Sequence, residues 1–151
     1  SFPTRRSSDL ELLKYEDETV GSIMTKEFIS FGLNVTVEET VEILKEMQPD
    51  EEVMYYIYVT DEEDKIKGLV ILRDLLLSDG KKKLSELMEE NITTVKHTES
   101  IEEVIDKAAK YDLLSTAVVD ENNRLIGIVL IHDIIDEEFY PLWKKKNKSI
   151  K

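Results

Sequence analysis

The order of apolar and polar segments along the chain occurs twice. A short apolar segment ending in Met24 precedes an amphipathic segment, an apolar run rich in β-branched residues, and a second such run that leads into Asp74. The same order recurs between Leu84 and Asp133. A repeat of this length predicts two copies of one supersecondary unit that pack against each other.

The spacing of matching residues locates a difference between the copies. Met24 and Met88 are 64 residues apart, whereas Gly68 and Gly127 are 59 apart. The first copy is therefore five residues longer. We place the extra residues around positions 48–52, between a predicted helix and a predicted strand, where a loop absorbs an insertion.

Each copy predicts the order short helix, β, α, β, β, α. Glu38–Met47 and the segment from Ile101 have apolar residues at helical spacing, and Thr36 and Ser100 precede them as N-caps with a glutamate three residues on. Two strand-like runs joined by a turn follow in each copy, namely Tyr55–Thr60 with Ile66–Leu72, and Ala117–Val119 with Leu125–Ile131. Short helices begin near Arg73 and His132. The fold class is α/β (α+β), with two βαββα repeats packed as one pair.

Composition excludes some functions. The chain has 151 residues, no cysteine and a net charge of -13 from 33 acidic and 20 basic residues. This charge argues against nucleic acid as a partner, because phosphate binding requires a basic surface. An acidic surface suits cations or basic partners, or serves solubility alone. No segment reaches the roughly 20 apolar residues of a membrane span.

The chain divides into five predicted segments. Residues 1–10 are typical of a translated sequencing adapter and are excluded as non-native. Residues 11–19 form a linker, 20–80 the first repeat and 81–138 the second repeat. Residues 139–151 form a Lys-rich tail with one Trp, which is either solvated or contacts an anionic membrane surface.

The repeated order from Thr19 to Glu138 resembles a pair of CBS domains, the tandem regulatory module named after cystathionine β-synthase. The resemblance implies that the two copies face each other through their sheets. It also implies that two such pairs form a homodimer.

Several motifs are similar to MgtE-type magnesium transporters in particular. They are Leu13–Thr25, Tyr55–Val59, Gly68 followed by Leu72–Leu75, and Tyr111 with Asp112. This similarity implies a cytoplasmic module at the inner face of the membrane. It also implies that an acidic N-terminal domain and a membrane domain of the same transporter are partners of this chain.

In that family the CBS pair senses Mg²⁺ through carboxylates at domain and subunit boundaries. The resemblance carries the metal-binding role to Glu102, Asp112, Asp133 and Asp136. Mg²⁺ prefers oxygen ligands and keeps several waters, so one or two carboxylates suffice. The structural alternative is that Glu102 stabilises a helix dipole and Asp133 caps a helix. Farther along, Pro141 and Lys144 stand where the family continues with acidic residues.

CBS pairs also bind adenine nucleotides such as ATP or AMP. The resemblance assigns Tyr56 to the base, Leu113 to an apolar wall, Asp74 to the ribose and Arg73 to phosphate. The usual Ser or Thr three residues before the acid is absent in both copies, where Ile71 and Leu130 stand. The structural alternative has Tyr56 in the core and Asp74 as a helix cap.

The sequence predicts no enzyme. His97 and His132 share no short motif with a nucleophile, and no phosphate-binding loop or metalloprotease motif occurs. The resulting hypothesis is a regulatory CBS pair that senses Mg²⁺ and gates a magnesium transporter. The alternatives are a standalone CBS-pair sensor of adenine nucleotides that regulates another protein, and a purely structural dimerisation module.

Overall fold

Both halves of the chain form the same small mixed sheet with helices on one side. The computed structural model describes residues 19–134. The first repeat comprises α1 (Val20–Ile23), β1 (Ser30–Gly32), α2 (Val37–Met47), a 3₁₀ helix (Glu51–Met54), β2 (Tyr56–Thr60), β3 (Ile66–Ile71) and α3 (Leu72–Leu77). The second comprises α4 (Leu84–Leu87), β4 (Thr94–Lys96), α5 (Ile101–Tyr111), β5 (Ser115–Val119), β6 (Leu125–Leu130) and α6 (Ile131–Ile134).

The two sheets have identical topology. In each, the first strand pairs in parallel with the middle strand, and the middle strand pairs antiparallel with the third. A register shift occurs at Val59/Thr60 and again at Val118/Val119, which are equivalent positions. The predicted α+β fold with two βαββα repeats is confirmed. Within the described part of the chain, none of the helices is long and apolar enough to span a bilayer.

The predicted helix starts are confirmed. The Thr36 hydroxyl accepts a hydrogen bond from Glu39 N at 3.2 Å, and the Glu39 carboxylate accepts one from Thr36 N at 2.9 Å. This second bond holds the pKa of Glu39 below its ordinary value. Ser100 caps α5 in the same way by accepting from Glu103 N at 3.3 Å. A side-chain cap of this kind satisfies one of the backbone donors that a helix start leaves unpaired.

The predicted insertion lies between α2 and β2. Both long helices end in a left-handed residue, Gln48 in the first repeat and Asp112 in the second. Two residues separate Asp112 from β5, whereas seven separate Gln48 from β2, and four of those seven form the 3₁₀ helix. The extra residues therefore lengthen a connection without changing the sheet.

Each repeat is completed by a segment of the other. The amides of Val20 and Gly21 in α1 donate to the carbonyls of Glu99 and His97 in the second repeat, at 2.8 and 2.9 Å. Val20 is fully buried in the hydrophobic core of the second repeat. Conversely, Leu84 in α4 is fully buried in the core of the first repeat. The short helices that open the two repeats are thus exchanged.

The exchange explains why Met and Gly recur at matching positions. Thr25 pairs with Ile128 as an isolated β-bridge, and Leu69 pairs with Glu89 in the same way. These bridges bring the Met that precedes each bridge against the Gly of the opposite repeat. A Cβ added to Gly127 would lie 2.7 Å from Met24 Sδ. The glycines therefore permit a close approach between segments that are far apart in sequence.

A third hydrophobic cluster lies between the two sheets, which face each other as the resemblance implies. Its buried members come from both repeats and are Tyr58, Ile66, Ala117, Val119, Leu125 and Ile128. The hydroxyl groups of Tyr58 and Ser115 form a buried hydrogen bond of 2.9 Å across this cluster. Burial raises the pKa of Tyr58 well above its ordinary value, so the phenol stays neutral.

We expect Gly68→Ala to lower the free energy of unfolding by about 1–3 kcal/mol, because overpacking forces neighbouring atoms apart. A Cβ there would lie 2.7 Å from Glu89 O and 2.9 Å from Met88 Sδ. The matched control is Gly32→Ala, whose Cβ would meet nothing closer than Val35 Cγ2 at 3.9 Å. Urea denaturation measures both variants. Equal stability of the two variants would contradict the exchange of opening helices.

We expect Thr116→Val to raise the free energy of unfolding by about 1 kcal/mol. Thr116 is 1% exposed, and its hydroxyl has no hydrogen-bond partner among residues 19–134. The equivalent residue of the first repeat is Ile57, so an apolar side chain fits this position. The control is Thr40→Val, since the buried Thr40 hydroxyl donates to Thr36 O at 2.8 Å and its removal should destabilise the fold. Thermal denaturation compares them, and a destabilised Thr116→Val variant would contradict the expectation.

Candidate cation surface and nucleotide cleft

The predicted metal ligands Glu102 and Asp112 lie at opposite ends of α5. Glu102 is in the first turn of the helix and Asp112 follows its last residue. Ten residues of α-helix rise about 15 Å. Because Mg²⁺ binds oxygen at about 2.0–2.1 Å, the two carboxylates of one chain cannot bind the same ion. Glu102 also lies where an acid stabilises the helix dipole.

Asp112 ends α5 in a left-handed conformation with φ of 55°. Asp adopts this conformation more readily than most residues. However, Gln48 ends α2 with φ of 46° at the equivalent position, so ending the helix does not require a carboxylate. The helix end therefore does not by itself account for the negative charge at Asp112.

Asp112 and Asp133 lie at the same end of the second repeat. The amide of Ile131 in α6 donates to the carbonyl of Leu114 at 3.1 Å, which ties the start of α6 to the residues that follow α5. Both aspartates are exposed, and neither carboxylate has an ion pair or hydrogen bond with another residue of 19–134. Asp136 lies outside the described residues.

These carboxylates do not form a closed metal site within one chain. Among residues 19–134, no group of three or more His, Asp or Glu side chains is arranged to hold a metal ion. Asp112 and Asp133 instead present two charges on an open surface. Such a surface fits a hydrated Mg²⁺ held by one or two carboxylates per face.

Other acidic residues are already committed to turns. The carboxylate of Asp120 accepts from the amides of Arg124 and Asn122 at 2.9 and 2.8 Å, and the Arg124 hydrogen bond in particular keeps the pKa of Asp120 below its ordinary value. In the first repeat, the carboxylate of Asp61 likewise accepts from the amides of Lys65 and Glu63. Desolvation raises the pKa of Asp61, but these hydrogen bonds, together with the nearby lysine charges, lower it further, so the pKa lies below its ordinary value. These acids shape the hairpins.

Sequence reasoning missed one acidic cavity. Its volume is about 670 Å³, and it lies between the loop after β1 and the β2–β3 turn. Glu39, Asp61, Glu62 and Glu63 line it. The acids are visible in the sequence, but their convergence depends on the parallel pairing of β1 with β2, which periodicity does not reveal.

The predicted nucleotide residues converge on one edge of the pair. Tyr56, the first residue of β2, pairs with Ile71, the last residue of β3, and α3 with Arg73 and Asp74 follows directly. The Tyr56 hydroxyl accepts a hydrogen bond of 3.2 Å from the amide of Leu114 in the second repeat. The structure thus brings Tyr56 of the first repeat into contact with the residue after Leu113, while Arg73 and Asp74 follow the strand that pairs with Tyr56.

The predicted nucleotide residues combine charged and apolar side chains. Arg73 and Asp74 are exposed, with Nη1 and Oδ1 3.9 Å apart. Ile71 is 46% exposed at the cleft, where a hydroxyl residue is usual in the family. Leu113 is half-buried against the core of the second repeat. The alternative reading of Asp74 as a helix cap is wrong, because Ile71 holds the N-cap position and Asp74 lies within the first turn.

The two histidines lie in different parts of the second repeat. His97 contacts Glu121, with Nε2 and Oε1 3.3 Å apart. His132 is exposed on α6.

Comparison with known proteins defines the class of this module. The sequence profile of the CBS domain matches residues 20–79 and 84–139. The chain therefore belongs to the CBS domain family, and the two matches are the two halves of a CBS pair.

The chain is similar to magnesium transporters of the MgtE type. It is 38% identical over 134 residues to magnesium transporter MgtE of Thermus thermophilus, covering 89% of this chain and 30% of that protein. It is 40% identical over 126 residues to MgtE of Enterococcus faecalis, covering 83% of this chain and 28% of that protein. The chain thus spans less than a third of the length of these curated relatives.

The fold matches a solved structure of the same kind. The cytosolic domain of the Mg²⁺ channel MgtE in complex with ATP superimposes with a TM-score of 0.76 at 38% identity, over 84% of this chain and 51% of that one. The resemblance to the MgtE cytosolic CBS pair that the sequence motifs implied is confirmed.

Proposed function

We propose that this chain is the regulatory CBS pair of an MgtE-type magnesium transporter. Its similarity to the transporters of Thermus thermophilus and Enterococcus faecalis supports this function. In this proposal the module is not an enzyme, it forms a homodimer, and it lies at the cytoplasmic face of the membrane. It connects to an acidic N-terminal domain and to the membrane domain of the same transporter.

One observation carries the proposed Mg²⁺ response. Asp112 and Asp133 are exposed at the same end of the second repeat, without ion pairs inside the described fold. The chain has a net charge of -13, so a second acidic surface that approaches this end meets repulsion. A hydrated Mg²⁺ between the two surfaces offsets that repulsion and favours a closed, transport-inactive arrangement.

The other two predicted metal ligands, Glu102 and Asp136, have different roles in this proposal. Glu102 lies about 15 Å from Asp112 along α5, so it serves a different contact with its own ion. Asp136, three residues after Asp133 in the sequence, is proposed as a further ligand. Pro141 and Lys144 replace acidic residues of the family, and the response of this chain therefore depends more heavily on Asp112 and Asp133.

A second candidate function is the binding of an adenine nucleotide. It is supported by the hydrogen bond between Tyr56 and Leu114, by the position of Asp74 shortly after the strand that pairs with Tyr56, and by the similarity to the MgtE cytosolic domain that was solved with ATP. The face of Tyr56 suits a base, Asp74 accepts the two ribose hydroxyls, and Arg73 reaches phosphate. Ile71 supplies an apolar contact where the family has a hydroxyl. The nucleotide then acts as a sensor input, either within the transporter or in a standalone regulator.

We expect the double variant Asp112→Asn, Asp133→Asn to weaken Mg²⁺ binding by about tenfold, because the two exposed carboxylates that attract the ion are neutralised. Titration calorimetry with MgCl₂ measures the affinity, and small-angle scattering measures the change in shape.

The matched control is Glu46→Gln with Glu90→Gln, which removes the same charge from other exposed positions. The control should bind Mg²⁺ like the parent chain. An equal loss of affinity in both double variants would show that only net charge matters. Absence of any Mg²⁺ response in the parent chain would contradict the sensor function.

We expect Asp74→Asn to weaken the binding of ATP and AMP by about tenfold or more, because the amide loses the negative charge and replaces one of the two acceptor oxygens with a donor. Equilibrium binding of a fluorescent ATP analogue, displaced by ATP or AMP, measures this loss. The control is Asp79→Asn, since Asp79 lies in the turn after α3. Unchanged affinity in the Asp74→Asn variant would contradict the assignment of Asp74 to the ribose. A parent chain that binds neither Mg²⁺ nor nucleotide would instead be a structural dimerisation module.

A further inference from the structure

Two tyrosines of β2 in the first repeat form hydrogen bonds with consecutive residues of the second repeat. The Tyr56 hydroxyl accepts from the Leu114 amide at 3.2 Å, and the Tyr58 hydroxyl bonds to Ser115 Oγ at 2.9 Å. The two rings pack edge to face, with centroids 6.3 Å apart and an interplanar angle of 73°. They form one connected contact between the repeats.

The two hydrogen bonds differ in their access to solvent. Tyr58 is 2% exposed and lies inside the cluster between the sheets. Leu114 is 50% exposed. Tyr56 lies at the end of the sheet, where it pairs with the exposed residue Ile71. Water is therefore excluded from the Tyr58 bond, whereas water can replace the Tyr56 bond at the cost of one neutral hydrogen bond.

The Leu114 amide is the kind of group that a bound base uses. Its own carbonyl accepts from Ile131 within the repeat, but its N–H has no partner in the β5–β6 ladder and bonds to Tyr56 instead. A backbone N–H at a cleft pairs with the acceptor nitrogen of a purine, and a tyrosine ring provides the surface on which the base stacks. In the structure, the Tyr56 hydroxyl occupies this N–H, and the Tyr56 ring lies beside it.

We propose that the Tyr56 hydroxyl competes with the ligand for the Leu114 amide and so sets the affinity of the nucleotide cleft. This inference depends on the second candidate function, nucleotide binding. The base enters by displacing the hydroxyl, and the freed ring then stacks on the base. The hydroxyl therefore lowers affinity, while the ring raises it.

The test uses the full chain and separates the hydroxyl from the ring. Tyr56→Phe should bind ATP and adenosine about 2- to 10-fold more tightly than the parent chain in titration calorimetry, the factor that corresponds to one lost neutral hydrogen bond. Tyr56→Ala removes the stacking surface as well and should bind more weakly than Tyr56→Phe. In a ¹⁵N-labelled parent chain, ATP should shift the amide resonance of Leu114.

Tyr58→Phe is the matched control, since it removes the other hydroxyl that crosses between the repeats. It should lower the melting temperature, because Ser115 loses its buried partner, and it should not tighten nucleotide binding. If the parent chain binds ATP and Tyr56→Phe binds no more tightly, the competition is wrong while nucleotide binding stands. If neither binds ATP or adenosine, both the competition and the nucleotide function are wrong.

Discussion

The exchange of opening helices between the repeats is the constraint on which the rest of the fold depends. Each hydrophobic core contains an apolar residue from the other repeat's opening helix, Val20 in one and Leu84 in the other. The close approach of Met24 to Gly127 requires that no side chain project from that glycine. Neither repeat therefore buries its own core alone, and the pair folds as one unit with two sheets face to face. A chain of this size gains most of its stability from such shared burial.

This exchange also determines which parts of the module the proposed ligands act on. Because α1 packs against the second repeat, α1 and α6 both contribute to the core of the repeat that presents Asp112 and Asp133. In the proposed function, a cation at that surface acts on the repeat that holds both α1 and α6. The proposed nucleotide site instead involves both repeats, with Tyr56 from one and Leu114 from the other. The two proposed ligands thus act on different contacts. The cation acts on contacts between domains, and the nucleotide acts on the contact between the two repeats.

Sequence patterns predicted the local structure and not the long-range contacts. The capping glutamates, the buried stripe of α5 and the hairpins follow from spacing within a dozen residues, and all were confirmed. The exchange of α1 was not predicted, because hydrophobic periodicity carries no information on which core receives Val20. Met47 fits the apolar spacing of α2 yet is 52% exposed. Family resemblance named Tyr56 as a base contact, but its bond to Leu114 depends on packing between the sheets. Whether the carboxylates bind Mg²⁺ depends on a second surface that one chain does not contain.

Native-state hydrogen exchange of the amides of Val20 and Leu84 tests the exchanged architecture most directly. Both amides bond to carbonyls of the opposite repeat, Glu99 and Val35 respectively. We expect both to exchange only through global unfolding, with the same opening free energy as the central residues of β5. Val20 exchanging orders of magnitude faster than β5 would show that α1 opens locally and that the second repeat keeps its core without it.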